Sequence, residues 1–417
     1  MEATRLTEGE STVPTGIIGI AVLVSIAVLL SEDRRRINLR VVGSALLLQV
    51  VIAVVVLYIP AGQHFLGALA HGVQGIVDHV KAGTGFLFGD LGSGVGFVFV
   101  LQVLPIIIFI SSLMAVLYYI HVMQWIVRIL GAALRAIVGT GRVVSLCATA
   151  NIFIGHTESP LVVRPYLKSL SREQLFMVMS SGLASVSGAI LIGYSALGIR
   201  TDYLIAAAFM AAPGGLLFAN LLVPLKEGDV ESVDALELAE AEVDRPTNVI
   251  EAAADGAATG LKLAANIAAM LLAFIALISL ANGLLGWVGG IVGFEGITLE
   301  LIFGWIFAPL MFVLGVPWAD AVATGNLMGQ KLVLNEFVAF VSMVGVQDGL
   351  SPEGLAVITF ALCGFANLNS LAILVGGLGG LVPERRRDIS KLGLKAVLAG
   401  SLSNMMSASI AGVLLFW

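Results

Sequence analysis

Two glutamates stand in polar runs that interrupt otherwise apolar stretches of the chain. Glu158 lies in the run NIFIGHTESP at residues 151–160, and Glu336 lies in the run KLVLNEF at residues 331–337. A buried carboxylate is costly unless a partner or a ligand compensates its charge. The two acceptor oxygens of Glu336 suit the paired hydroxyls of a sugar diol. The runs therefore predict a binding site for a polar ligand.

Each glutamate also has a structural interpretation that the residues alone leave open. Glu158 can pair with Arg164 or accept from backbone N–H groups at a hairpin tip, which would fix that tip. Glu336 can form an internal ion pair with Lys331, five positions before it. Functional use is the preferred interpretation for both, because acids inside membranes usually serve a site.

Two further polar segments interrupt long apolar stretches near their middles. Residues 182–187 read GLASVS and residues 364–369 read GFANLN, and they begin 24 residues after Glu158 and 28 after Glu336. Asn367 and Ser370 are three positions apart, so on a helix they share a face and can contact one ligand. Interhelical hydrogen bonding is the alternative for each position. The shared order predicts an internal repeat.

The composition places these residues in a membrane protein. Of the 417 residues 58% are hydrophobic and only 12% are charged, and the mean hydropathy is +1.00. A bilayer core takes about 20 apolar residues of helix. Eight stretches meet this requirement and are predicted to span the membrane: residues 14–30, 39–59, 95–126, 175–197, 203–225, 263–288, 355–381 and 394–416.

The glutamates fall between these spans. Residues 143–167 and 301–344 are apolar in part and are predicted to form two re-entrant helical hairpins, which are tolerated where they line a cavity. Residues 64–80 are amphipathic and suit a helix at the membrane interface. The span count makes the hairpins enter from opposite sides, so the fold class is an all-α polytopic membrane protein with an inverted repeat.

Basic clusters predict the orientation, because cytoplasmic loops are enriched in Lys and Arg. Clusters at residues 34–40, 128–142, 164–172 and 385–391 fall on one side, which places both termini outside. The predicted parts are N-terminal spans with the interfacial helix (1–126), a first repeat (127–225), an acidic cytoplasmic linker (226–247), a second repeat (248–382) and a C-terminal span (383–417).

Three stretches resemble the concentrative nucleoside transporter family in its shorter bacterial form. They are residues 151–166 (NIFIGHTESPLVVRPY), 325–340 (GNLMGQKLVLNEFVAF) and 361–380 (ALCGFANLNSLAILVGGLGG). The resemblance implies a homotrimer in the bacterial cytoplasmic (inner) membrane, with one site in each protomer. It also implies a scaffold at the trimer axis and a moving transport domain that contains both hairpins.

The resemblance also implies roles for individual residues. The nucleobase contacts are expected from His156, Thr157 and Glu158, with Ile190 packing on the base. The ribose contacts are expected from Glu336, Asn367 and Ser370, with Phe365 beside them. A sodium ion is expected at Asn151, Ile154, Ser185 and Val186. His156 departs from the glutamine of many relatives, which leaves the preference for purine or pyrimidine open.

The predicted function is therefore secondary active import of a nucleoside, such as uridine or adenosine, on a sodium gradient by alternating access. Proton coupling stays open because some bacterial relatives use it and His156 can change charge near neutral pH. A channel is a further alternative, which would pass its ligand without ion dependence. We expect neither an enzyme nor a nucleic-acid partner.

Overall fold

The computed structural model describes residues 13–92, 98–226, 246–293 and 296–416. Every regular element in these ranges is helical, as predicted. The α-helices are α1 Val13–Leu29, α2 Leu39–Leu57, α3 Pro60–Phe88, α4 Phe99–Gln102, α5 Leu104–Tyr119, α6 Val122–Val138, α7 Arg142–Ala150, α8 Arg172–Ala184, α9 Gly188–Ala196, α10 Thr201–Leu222, α11 Val249–Val292, α12 Leu299–Val313, α13 Trp318–Val333, α14 Glu336–Val344, α15 Pro352–Leu362, α16 Leu368–Leu381 and α17 Arg386–Leu415.

Several of these helices can cross a bilayer. Within the described ranges six are long and apolar enough, or seven if the bent pair α12 and α13 counts as one span. The predicted spans 14–30 and 355–381 correspond to shorter apolar helices, α1 and the pair α15 and α16. The chain is thus a polytopic all-α membrane protein, and the total of eight spans stays a prediction.

An inner group of helices is enclosed by a more exposed group. The apolar stretch of α10 that can span the membrane is 94% buried, because the helix packs against α2, α8 and α17. The apolar stretch of α11 that can span the membrane is only 17% buried, and this helix packs mainly along α5. Apolar side chains on the open face of α11 suit contact with lipid or with another protein surface.

The two polar segments break the spans in which they lie. The chain leaves helical geometry at Ser185, and the Ser187 hydroxyl then accepts from Ile190 N–H at the start of α9. The Asn367 side chain accepts from Ser370 N–H at the start of α16. Serine and asparagine are favoured N-caps because their oxygens bind free N–H groups of the first turn. Asn367 therefore lies just before α16 as its N-cap, and does not share a helix face with Ser370 as predicted.

Several predicted boundaries differ from the structure. The predicted span 263–288 is part of the longer α11. The span 95–126 ends early, because His121 adopts φ 66° and separates α5 from the amphipathic α6. The interfacial helix 64–80 is part of the longer α3. The second hairpin region 301–344 contains three helices, with a bend of 119° between α12 and α13. The acids of the predicted linker 226–247 fall at positions 227–244, outside the described residues.

Candidate functional site

Glu336 is the first residue of α14 and is 5% exposed. Its Oε1 accepts from the Tyr194 hydroxyl at 3.1 Å, and its Oε2 accepts from Asn367 Nδ2 at 3.0 Å. The Tyr194 ring packs against Phe337 and Phe340, with centroids 5.2 and 4.3 Å apart. Side chains of α9, α14 and the α15–α16 break thus hold this carboxylate in place.

Lys331 does not form the ion pair with Glu336 that the sequence left open. Its Nζ donates instead to the Ala361 carbonyl at 2.5 Å and to Asn404 Oδ1 at 2.8 Å. Asn404 Nδ2 in turn donates to the carbonyls of Ala184 and Cys363, at 2.6 and 3.0 Å. One amide of α17 therefore contacts the ends of both interrupted helices, α8 and α15.

Phe365 joins the two breaks directly. Its backbone N–H donates to the Ser185 carbonyl at 3.2 Å, and its own carbonyl accepts from the Ser370 hydroxyl. The Phe365 ring lies against the His156 ring, with centroids 4.8 Å apart. The predicted base-side and ribose-side residues therefore meet at one phenylalanine.

His156 is buried without hydrogen bonds to its ring. The residue is 8% exposed, and neither Nδ1 nor Nε2 has a partner in the structure. Buried polar atoms are usually satisfied, and leaving one unpaired costs about 1–3 kcal/mol. A ligand beside the ring would supply the missing partners.

Thr157 and Glu158 follow His156 in the segment between α7 and α8. A methyl group added at Gly155 would lie 3.4 Å from Glu158 Oε2, 3.5 Å from Ser187 Cβ and 3.8 Å from the Phe365 ring. Thr157 faces α16, since its Cγ2 would lie 3.4 Å from a methyl group added at Gly377. The ion pairs of the described residues do not include Glu158, so the predicted alternative with Arg164 is not formed.

Oxygen atoms converge where α7 and α8 end. The Ser185 hydroxyl lies 3.3 Å from the Asn151 carbonyl and 3.2 Å from the Val186 carbonyl. Asn151 Oδ1 accepts from the Ser159 hydroxyl at 2.6 Å, and Ile154 follows in the turn after Asn151. Helix C-termini carry negative partial charge, and hard cations prefer oxygen ligands. The residues fit a sodium ion.

Three family models match consecutive parts of the chain. Two are described as the N-terminus and the C-terminus of a Na⁺ dependent nucleoside transporter, at residues 18–91 and 203–412, and one as nucleoside recognition, at residues 100–200. The nucleoside permease NupC of Helicobacter pylori is 46% identical over 409 residues, covering 95% of this chain and 96% of that protein. The chain belongs to the concentrative nucleoside transporter family.

Members of this family with solved structures match the whole fold. CNTnw in an inward-facing substrate-bound state gives a TM-score of 0.92 at 51% identity, covering 96% of this chain and 97% of that one. A doubly substituted variant of CNTnw in an outward-facing state gives a TM-score of 0.93 at 51% identity, covering 97% of this chain and 99% of that one. The sodium/nucleoside cotransporter 1 of Rattus norvegicus is 36% identical over 95% of this chain and 63% of its own length.

Three residues of this transporter site escaped the sequence analysis. Tyr194 lies in an apolar helix, where only the need of a buried phenol for a partner signals a role. Lys331 was considered only as a partner of Glu336, and Asn404 was not considered. Ile190 lies in the first turn of α9 and is 6% exposed, and its contact with a base stays a prediction.

Proposed function

We propose that the protein is a sodium-coupled symporter that imports nucleosides across the bacterial cytoplasmic membrane by alternating access. The observation that carries this proposal is the buried Glu336 carboxylate, oriented by Tyr194 and Asn367 beside a histidine without partners. A nucleoside offers a diol at one end and a polar base at the other. Family membership makes the nucleoside the expected ligand.

The ribose binds at Glu336, Asn367 and Ser370, with Phe365 against the sugar. A carboxylate accepts from about four directions, and side-chain donors use two of them, so acceptor capacity remains for the hydroxyls of a sugar. A diol that supplies two hydrogen bonds distinguishes nucleosides from free bases. In the complex the Asn367 amide and the Glu336 carboxylate would remain buried, with hydrogen-bond partners for their polar atoms.

The base binds at His156, Thr157 and Glu158, with Ile190 packing on its face. Neutral imidazole offers one donor and one acceptor on different sides of its ring, so one nitrogen can donate to a carbonyl of uridine or accept from the amine of adenosine. Glu158 then accepts from a base N–H. Contact of the base with the Phe365 ring closes the site toward the ribose.

Sodium is the coupling ion that the site supports best, bound by Asn151, Ile154, Ser185 and Val186. The side-chain and carbonyl oxygens near Ser185 are neutral, which suits a monovalent cation held by helix dipoles. Proton coupling through His156 is the competing form of the same symport, and a channel would need no ion at all.

The architecture we infer has eight spans and two oppositely directed hairpins in an inverted repeat. The parts are the N-terminal spans (1–126), a first repeat (127–225), a linker (226–247), a second repeat (248–382) and the last span (383–417). Three protomers assemble around a scaffold, and each moves its own transport domain. The existence of inward-facing and outward-facing CNTnw structures supports alternating access.

Uptake into proteoliposomes tests the function. Labelled uridine and adenosine should accumulate when a sodium gradient is imposed, and a proton gradient alone should not replace it. Glu336→Gln should abolish uptake, whereas Glu251→Gln, at the exposed start of α11, should transport like the wild type. Asn151→Ala or Ser185→Ala should weaken the response to sodium. Equal uptake without any gradient would indicate a channel.

A further inference from the structure

Lys331 is a fully buried lysine whose two hydrogen-bond partners are both uncharged. The residue is 0% exposed and lies in the last turn of α13. Among the described residues no carboxylate approaches its Nζ within ion-pair distance, and its two hydrogen-bond partners are neutral oxygens, of Ala361 and Asn404. A positive charge buried this completely requires compensation, so the surroundings must supply negative electrostatic potential.

The Glu336 carboxylate, five positions further along the chain, supplies part of that potential, and a helix end supplies more. Ala361 precedes the last residue of α15, and Lys331 itself lies near the end of α13. The C-terminal carbonyls of a helix carry about half a negative charge in sum, and cations are favoured there. The ammonium group thus binds the C-terminal end of α15 directly, and the Asn404 side chain of α17 supplies its second acceptor oxygen.

The first repeat has the same arrangement without a basic side chain. There α7, the first helix of the hairpin, and α8, the first half of the broken span, end at Ala150 and Ala184. The Ser185 hydroxyl donates to the Asn151 carbonyl at 3.3 Å and so connects these ends, and its other partner, the Val186 carbonyl, is also neutral. This is the position to which the proposed function assigns sodium.

We propose that Lys331 is a tethered cation, which takes in the second repeat the place that the coupling ion takes in the first. The inference rests on the proposed function. Lys331 is a positioning residue: it fixes the end of α15, and through that end it places Asn367 and Phe365 against the substrate. Asn404 relates the two positions, because it binds the last carbonyls of both broken spans.

The experiment replaces the tethered cation by an oxygen or by an apolar group of similar length. Lys331→Asn supplies an oxygen ligand for a free cation, Lys331→Met supplies none, and Lys331→Arg keeps the charge. Uptake of uridine is measured in proteoliposomes over a range of sodium concentrations, together with the number of sodium ions carried per uridine. Lys81→Asn is the matched control, since this lysine is exposed and pairs with Asp78.

Lys331→Asn should lose about tenfold or more of its uptake at low sodium and recover at high sodium. Its sodium dependence should be steeper, with one more ion per uridine than the wild type. Lys331→Met should stay inactive at every sodium concentration, and Lys331→Arg and Lys81→Asn should keep the wild-type ratio. Melting of Lys331→Asn in detergent should shift upward with sodium more than that of the wild type.

Equal loss in Lys331→Asn and Lys331→Met, with an unchanged sodium response, would overturn the proposal in favour of a purely structural role. So would full uptake by Lys331→Met, or a Lys331→Asn protein that does not fold even at high sodium. These outcomes would contradict the proposed role of Lys331 and leave the proposed function unaffected. Absence of sodium-driven uptake in the wild type would instead contradict the proposed function.

Discussion

The Glu336 carboxylate is held from two sides before any ligand arrives. Tyr194 and Asn367 occupy one acceptor direction on each oxygen, and both donors are buried with it. Because the carboxylate is already oriented, ligand binding loses less side-chain conformational entropy. A diol therefore meets an acceptor pair that already points in a fixed direction.

Tyr194→Phe tests this orientation because it removes one hydroxyl and keeps the ring against Phe337 and Phe340. A hydrogen bond to a charged group contributes about 1.5–3 kcal/mol, so uptake efficiency should fall by roughly ten- to a hundredfold. The measurement is the initial rate of uridine uptake against concentration. Tyr203→Phe, whose hydroxyl accepts from Arg200 near the start of α10, should show no such loss. Unchanged kinetics in Tyr194→Phe would contradict the role.

His156→Leu separates binding from stability. The imidazole nitrogens lack partners in the ligand-free protein, so their removal should leave the melting temperature unchanged or raise it. Competition between adenosine and uridine for uptake should change in the same variant, because the base loses its polar contact. Melting in detergent and paired competition assays give the two readouts. Lower stability with an unaltered competition ratio would count against the assignment.

Charged residues connect several elements at the end of the molecule that the basic clusters predict to be cytoplasmic. Glu32, between α1 and α2, accepts from both terminal nitrogens of Arg172 at 2.7 and 3.0 Å and from Lys395 Nζ at 2.9 Å. Its backbone N–H donates to the Leu222 carbonyl at 3.0 Å. One short turn therefore ties α8, α10 and α17 together.

The hydrogen bonds from Arg172 are the main reason that the pKa of Glu32 falls from 4.5 to about 2, with Lys395 contributing further. Because the folded pKa is depressed, the stabilisation is present above pH 4.5 and is lost as the pH falls toward 2. Glu32 is about a third exposed, so water screens the interaction and about 1 kcal/mol is a realistic size.

Glu32→Gln should therefore lower the melting temperature at pH 7, and the difference from the wild type should shrink as the pH falls below 4.5. The measurement is thermal unfolding in detergent from pH 7 to pH 3. Glu384→Gln serves as control, since this exposed carboxylate pairs with Lys168 alone. A difference that persists unchanged at pH 3 would show that charge is not the cause.

Close packing between α5 and α11 depends on glycine. A methyl group at Gly256 would lie 2.6 Å from Ala115 Cβ and 2.7 Å from the Ser111 carbonyl. Small residues let membrane helices approach at this distance. The long, exposed α11 is therefore joined to the rest of the molecule through a glycine contact with α5.

Gly256→Val should destabilise the whole molecule, since overpacking costs about 1–3 kcal/mol. Gly43→Val is the matched substitution, because nothing lies within 4 Å of that position on α2. Melting temperature and the yield of folded protein measure both variants. Equal behaviour of the two would show that the helices can separate without loss.

The sequence predicted the helical class and marked the polar positions of the spans 175–197 and 355–381, because apolar length and polar interruptions are local signals. It predicted each of these spans as one helix, whereas the structure breaks both at those positions. Polar runs also marked Glu158 and Glu336. It could not predict that Lys331 binds the Ala361 carbonyl, since the partners lie 30 positions apart and meet only through packing. The break at His121 was missed because a positive φ at a non-glycine residue leaves no pattern in hydropathy.

The hydrogen bond from Phe365 N–H to the Ser185 carbonyl sets a thermodynamic condition on the transporter. Ser185 belongs to the oxygens assigned to the ion, and Phe365 to the side assigned to the nucleoside. The empty protein, the two singly bound forms and the doubly bound form make a thermodynamic cycle of four states. This contact gives binding on one side a route by which to affect binding on the other. If sodium binds at the proposed site and changes the affinity for nucleoside by some factor, nucleoside must change the affinity for sodium by the same factor.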